Sequence, residues 1–466
     1  MTARKDIRMK HLTLEEHRRR IENINSAERG NKKYYRRHRV RDYLFGQAVY
    51  NLGDYPYPFK MGPTDYDYNM LSSMAEKGVQ LIQLHEDWND AIRLQGADKF
   101  SCPDPKGLQE FVDLVHRFGM KVIPYISTGY FHEYDPDFRE EFTETKHYCM
   151  GGLAHRYRRC SAGSAAWREY LLPKTFAVLD KYGFDGIYND FGLQSSWSVA
   201  GNRPVIDGVG EYDPEMEDLI GTVYHEVKRR GGVYKLHCDK NSAAPAIDKV
   251  YDYLWIGETM DKSVAGIGKS YPDYVVPCQD KVCLNLDNPD YYFATVIPFM
   301  QFPLLTTVGR PFLGKRKDAD CPMYGRDDPK FNREWLFDVK VSSYMKEHPK
   351  GPYVYSLWSA VPDDVTETDR WARYLELYRP MVEEDSLVYV ELSECEDILS
   401  DITDRVYASM FVNEEKYLVV SNLSSKDYLL RTRGEWLDRV SGKISSSFTV
   451  SPGKILFLMK NHLRGE

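Results

Sequence analysis

From Leu44 to Val308 the chain repeats one pattern: a short apolar run, a cluster of polar or aromatic residues, then a stretch of helical periodicity. The apolar runs are Leu44 to Tyr50, Val79 to Leu84, Lys121 to Ile126, Gly186 to Tyr188, Val233 to His237, Val250 to Ile256, Tyr274 to Cys278 and Met300 to Val308. Between them, Asp65 to Lys77 closes on Gly78, Lys106 to Phe118 closes on Gly119, and Trp167 to Leu179 leads to Gly183. Asp213, Pro214 and Glu215 then open a helix that stops at Gly231 and Gly232, an N-cap residue followed by proline at the first helical position. Continuous apolar runs such as VQLIQL suit strands covered on both faces. Alternating strands and helices with right-handed crossovers build either an open doubly wound sheet or a closed barrel. About eight repeats and the absence of a GxGxxG turn favour an α/β fold of the (β/α)8 barrel kind. Met300 to Val308 is the least regular of the strands, and Trp335 to Lys346 is expected as the closing helix.

At 466 residues the chain has room for a barrel of roughly 250 to 350 residues and an accessory domain. After a helical patch, Asp369 to Met381, the texture changes to short alternating segments: Leu387 to Leu392, Arg405 to Val412, Lys416 to Asn422, Tyr428 to Thr432 and Lys454 to Leu458. Separated by turn residues, these predict a small antiparallel β domain. The expected division is a basic, helical N-terminal arm over 1–42, opened by a capping box at Thr13 and Glu16, a catalytic barrel over 43–384, and the β domain over 385–466. The basic cluster Lys32 to Arg41 is expected to be a solvated arm that packs on the barrel or on a second copy of the chain in a homo-oligomer.

In such folds the side chains at the carboxyl ends of parallel strands face the ligand crevice. The fourth run, GFDGIYND, puts Asp190 at that end and Asp185 at the opposite one, so Asp190 is the catalytic candidate and Asp185 a structural residue. The aromatics Phe184, Tyr188, Phe191 and Trp197 nearby suit the lining of a sugar site, as does an aromatic content of 14%. A net charge of −8 gives no reason to expect nucleic acid or an anionic membrane as partner. The eight cysteines lack CxxC spacing, which argues against a zinc ribbon, and they are expected to be buried thiols in a reducing compartment. No stretch reads as a signal peptide or a membrane span, so a cytoplasmic protein is expected. Neither a cofactor nor a metal is expected.

The motif GFDGIYND resembles the fourth-strand motif of the (β/α)8-barrel glycoside hydrolases of the alpha-amylase, alpha-galactosidase and alpha-glucosidase type. In that group the terminal aspartate of the strand is the nucleophile, a role the resemblance gives to Asp190. LVHRFGMKVIPY is similar to the group's unit in which a His-bearing helix precedes the third strand. EKYLVVSNLS and SPGKILFL resemble the β-sandwich that follows the barrel in many alpha-retaining members.

Cleaving a glycosidic bond needs a second carboxyl group across the scissile bond. Two strand ends offer one. Glu258 ends YLWIGE, similar to the Gly-Glu acid of the alpha-amylase group but two strands after the nucleophile, the position used in the alpha-galactosidase group. Asp239 lies one strand after Asp190, where the neighbours His237 and Lys240 would favour its ionised form and weaken it as an acid. Substrate contacts are expected from His85, Glu86 and Trp88, with Tyr125, Tyr130, His132, His237, Lys240 and Arg310 lining the same mouth. Two other readings fit the pattern: a metal-dependent barrel hydrolase using His85, Glu86, His237 and Asp239, and a carbohydrate-binding barrel without turnover.

Overall fold

The computed structural model describes residues 12–34, 36–52, 61–84, 88–89, 100–102, 104–132, 135–151, 156–193, 205–206, 210–211, 213–238, 250–256, 275–277, 290–301, 304–309 and 366–461. The chain divides into two compact units. One combines 44–287 with 301–376, and the other combines 1–43, 288–300 and 377–466.

The first unit is the (β/α)8 barrel. Its parallel strands are Gln47–Asn51, Leu81–Leu84, Lys121–Ile123 resumed as Tyr125–Ser127, Gly186–Leu193, Val233–Cys238, Tyr253–Ile256, Val275–Pro277 and Leu304–Gly309. Each lies where the apolar runs predict it. The eighth strand pairs with the first, and pairing continues in sequence order to the third. Pro124, which has no N–H to give to a ladder, divides the third strand, whose second half pairs with the fourth and so leads on to the seventh. Among the described residues no ladder joins the seventh strand to the eighth.

Contacts across the interior show that the strands curve round on themselves. Lys235 Nζ of the fifth strand donates to Gln47 Oε1 of the first at 3.1 Å. The Tyr253 hydroxyl of the sixth accepts from the backbone N–H of Leu44 at 3.0 Å. Helices Asp65–Glu76, Pro105–Arg117, Ala165–Tyr182 and Pro214–Arg229 alternate with these strands, and each begins at a side-chain cap: Thr64, Asp104, Ser164 and Asp213. Helix Thr366–Tyr378 stands where the patch after the barrel was expected; Trp335 to Lys346 lies outside the described residues.

The sequence DG at 185–186 is explained at the amino end of the fourth strand. Asp185 Oδ2 accepts from the backbone N–H of Val122 at 2.9 Å and lies 2.8 Å from His116 Nε2. Its backbone carbonyl accepts from Val233 N–H at 2.7 Å. One residue thus ties the third, fourth and fifth strands and the helix Pro105–Arg117 that leads into the third, the structural role expected of it. Gly186 has φ +142°, and a Cβ there would sit 1.8 Å from the Val233 carbonyl oxygen. Only glycine permits that approach of two strands.

The second unit is antiparallel. Seven strands pair in the order Arg36–Arg39, Leu387–Val390, Val406–Val412, Lys416–Asn422, Lys454–Lys460, Tyr428–Asp438, Ile444–Val450. The long strand Tyr428–Asp438 changes register between Arg431 and Trp436, pairing with Ile444–Val450 on both sides of that break and with Lys454–Lys460 only through Trp436 to Asp438. Residues from both ends of the sheet, including Leu387, Tyr389, Leu418, Leu430, Trp436 and Phe448, share one core, so the sheet curls over it.

The basic segment read as a separate solvated arm is part of this unit. Arg36–Arg39 is the edge strand beside Leu387–Val390, and helix Leu14–Gly30 buries Ala27 in the same core. Arg37 pairs with Glu28 and Arg39 with Asp385. On an edge strand a run of basic side chains is an advantage, because it discourages pairing with other chains. Segment 290–299, a short helix and a 3-10 turn, also belongs here and not to the barrel. Cys102, Cys160 and Cys395 are free thiols, and burial pushes Cys102 up to about 12 and Cys395 up to about 11.

Gly186→Ala is expected to lower the unfolding free energy by about 3 kcal/mol or more, whereas Gly183→Ala, at a left-handed helix cap with open space around it, costs about 1 kcal/mol. Urea melts of the two variants read the difference; equal losses would contradict the close approach at Gly186.

Candidate active site

Asp190 stands on the fourth strand opposite Ser127 of the third. Alternate residues of a strand face the same side, and contacts identify that side as the interior for Tyr188, Asp190, Lys235, His237 and Trp255. Asp190 Oδ1 lies 2.5 Å from His237 Nδ1. Asp190 Oδ2 accepts from the Tyr125 hydroxyl at 2.5 Å, and the Tyr125 and Tyr130 hydroxyls are 2.5 Å apart. With its one proton on Asp190, Tyr125 accepts from Tyr130, giving a chain Tyr130, Tyr125, Asp190. His237 answers the other carboxylate oxygen and carries its proton on Nδ1 to do so. The Asp190 side chain is 13% exposed and His237 8%, so the carboxylate keeps an outlet while its partners are nearly sealed.

Beneath this layer lies an aromatic floor. The Tyr188 ring is 4.8 Å from Trp255, 5.7 Å from Tyr125 and stacked on His237 at 6.4 Å. Lys235 is fully buried, its ammonium 4.6 Å from the Trp255 ring centre and bonded to Gln47. Behind the strand, Asn189 Nδ2 donates to the Thr128 and Tyr234 hydroxyls, and its Oδ1 accepts from the Thr128 backbone N–H. Both side-chain groups of Asn189 are thereby used in setting the backbone that carries Asp190.

Of the residues expected at the site, the structure brings together Asp190, Tyr125, Tyr130 and His237. The last three differ from expectation in one respect: at 3%, 3% and 6% exposure they meet the carboxylate and not open space. Trp88 is a correction. It is fully buried, its indole N–H donates to the Tyr125 backbone carbonyl at 2.8 Å, and its ring meets Phe184 edge-on at 5.9 Å. It supports the third strand from within and offers no face to a sugar. His85, Glu86, Asp239, Lys240, Glu258 and Arg310 lie outside the described residues, as does the His132 side chain. The sixth strand is described to Ile256, two residues short of Glu258. Among the described residues no three His, Cys, Asp or Glu side chains cluster as metal ligands would.

Lys235 and Asn189 were missed by the reading of the sequence. The signal for Lys235 is its place two residues before His237 in VYKLH, which puts both on one face. Nothing local distinguishes Asn189 from an ordinary strand-end residue.

No family model matches the chain, and no curated protein does. Solved structures do. The alpha-glucosyl transfer enzyme XgtA aligns over 89% of this chain and 98% of its own, with a TM-score of 0.57 and 12% identity. The maltogenic alpha-amylase AmyB of Thermotoga neapolitana aligns over 90% and 99%, at 0.54 and 11%. The trehalose-6-phosphate hydrolase of Bacillus licheniformis aligns over 90% and 100%, at 0.51 and 11%. At such identities the likeness is one of fold, and it spans both units.

Trp88→Phe removes a buried hydrogen bond and part of a packed ring, so it is expected to cost about 2 kcal/mol in a denaturant melt. A loss below about 0.5 kcal/mol, the usual range for surface substitutions, would return Trp88 to an exposed role.

Proposed function

We propose that the protein is a glycoside hydrolase, with a carbohydrate as its substrate, that works by a retaining, two-carboxylate mechanism: Asp190 is the nucleophile and Glu258 the general acid/base. The observation that carries this reading is the placement of Asp190. It is a partly exposed carboxylate in the carboxyl-terminal half of a barrel strand, where the regular pairing with the third strand ends, with a donor on each oxygen. The likeness of fold to XgtA, AmyB and the trehalose-6-phosphate hydrolase supports the same chemistry.

In this reading an Asp190 oxygen attacks the anomeric carbon as the glycosidic C–O bond breaks, and Glu258 gives its proton to the departing oxygen. Glu258 then takes a proton from water, the water oxygen attacks the same carbon, and the bond to Asp190 breaks. The two carboxyl groups of a retaining pair stand about 5 to 5.5 Å apart. Tyr125 and His237 suit the nucleophile because each donates to the charged form, which must exist before attack and is regenerated after it. Asp239 is the alternative acid, placed one strand after Asp190. A cytoplasmic location is part of the proposal; among the described residues no helix is long and apolar enough to cross a membrane.

A panel of nitrophenyl glycosides identifies the sugar, and proton NMR of the first product anomer reads retention. Asp190→Ala is expected to lower kcat by at least about 1,000-fold in a chain that still folds, as judged by circular dichroism, and azide is expected to restore turnover as a glycosyl azide. Glu258→Gln should slow substrates with poor leaving groups far more than activated ones. Equal losses on both would remove Glu258 and turn the assignment to Asp239.

A further inference from the structure

We propose that Tyr130 and Tyr125 are positioning residues acting in series on Asp190: Tyr125 holds one carboxylate oxygen in its ionised, aimed state, and Tyr130 acts only through Tyr125. This rests on the glycosidase reading of Asp190 and deepens it by replacing the expected sugar contacts with a relay of hydroxyls.

The geometry is directional. Asp190 accepts on both oxygens, from Tyr125 on Oδ2 and from His237 on Oδ1. A phenol has a single proton. With that proton engaged in the hydrogen bond to Asp190, the contact with Tyr130 has one arrangement left, with Tyr130 as donor. Donation by Tyr130 polarises the Tyr125 O–H and strengthens the bond it makes. Both tyrosines are 3% exposed, which leaves little surface for a sugar to touch. Their rings are held from other directions as well. Tyr125 packs on Tyr188, the backbone carbonyl of Tyr125 is bonded to Trp88, and Tyr130 pairs in register with Arg159 on the neighbouring antiparallel strand.

The spacing is built into the chain. Tyr125 leaves the ladder side of Pro124 at the start of the half-strand that pairs with the fourth strand, and Tyr130 opens the small antiparallel sheet five residues on. Thr128 and Gly129 make the short link between the two strands, and the Gly129 N–H donates to the hydroxyl of Ser127, the last residue of the first. Asn189 fastens the same link through Thr128 from the back of the fourth strand. The residue preceding the nucleophile and the segment carrying its relay are thus fixed to each other.

Among the described residues the titratable groups that face Asp190 are Tyr125 and Tyr130 from the third strand and the segment after it, His237 from the fifth strand, Lys235 one layer lower on that strand, and Tyr188 on its own strand. Removing a donor from an ionised carboxylate favours its protonated form. Loss of the Tyr125 hydroxyl is therefore expected to move the acidic limb of activity to higher pH, since protonation then silences the nucleophile sooner as pH falls.

The test is the pH profile of kcat/KM on the nitrophenyl glycoside found active, for Tyr125→Phe, Tyr130→Phe and the double variant. Tyr125→Phe is expected to lose about 10- to 100-fold in kcat/KM, mostly in kcat, with the acidic limb raised by about one pH unit. Tyr130→Phe should move both in the same direction by less, and in the Tyr125→Phe background it should do nothing more, because a residue acting through another has no effect once that other is gone. An unmoved acidic limb with a raised KM would make the tyrosines sugar contacts and overturn the proposal. Additive losses would overturn the series arrangement. If no glycoside is turned over by the wild type, the glycosidase reading fails by itself. The carboxyl ¹³C titration of Asp190 in aspartate-labelled protein then tests the relay without turnover: equal midpoints in wild type and Tyr125→Phe overturn it. Should Tyr125→Phe not fold, as judged by circular dichroism, Tyr130→Phe carries both measurements.

Discussion

The hydrogen bonds from Tyr125 and His237 to Asp190 join three adjacent barrel strands at one carboxylate. A charged group in a nearly closed interior is tolerable only where donors replace the water it has lost. Here the donors come from the strands on either side, the third and the fifth, so the order of the sheet is what makes the site. A shift of either neighbour by one residue would turn Tyr125 or His237 to the other face. At the opposite end of the same strand, Asp185 performs the equivalent task for stability, accepting from the third strand with its side chain and from the fifth with its carbonyl. Two aspartates five residues apart thus use the same pair of neighbours. One closes the amino end, and the other leaves the carboxyl end usable.

Between these ends the interior is filled by aromatic rings and by Lys235. The contact of its ammonium with the Trp255 ring and with Gln47 gives the buried cation both a π-face and an oxygen. The Lys235–Gln47 bond also spans the barrel from the fifth strand to the first. Packing, charge and closure are therefore carried by the same few side chains, which leaves little freedom to change one without the others.

Much of this was legible in the sequence because it is local. Each barrel strand is an apolar run bounded by turn residues, and the polar pair Asn189 and Asp190 after the apolar run Gly186 to Tyr188 announces which end bears the carboxylate, although the strand itself continues to Leu193. The burial of Trp88 was not legible. An aromatic within His85 to Asn89 reads alike whether its ring faces the mouth or turns back under the third strand, and only the indole bond to Tyr125 decides it. The pairing of Tyr125 and Tyr130 with Asp190 was likewise hidden, since the residues that meet are set by register across strands and not by spacing along one. The edge strand Arg36–Arg39 was misread for a related reason. Its composition is that of a solvated segment, and the strand that makes it a sheet member lies in another part of the chain.

That sheet is stitched from segments that come before and after the barrel in the sequence. Arg20 meets Glu414, its partner 394 positions later, and the first strand of the sheet is synthesised before any of the other six. At roughly 5 to 20 residues per second on the ribosome, the amino-terminal helix and its basic strand wait on the order of 20 to 80 seconds for the surface they complete. Until Leu387–Val390 has been made, the strand Arg36–Arg39 is without the neighbour it pairs with in the sheet, and charged side chains on such an edge disfavour pairing with other chains.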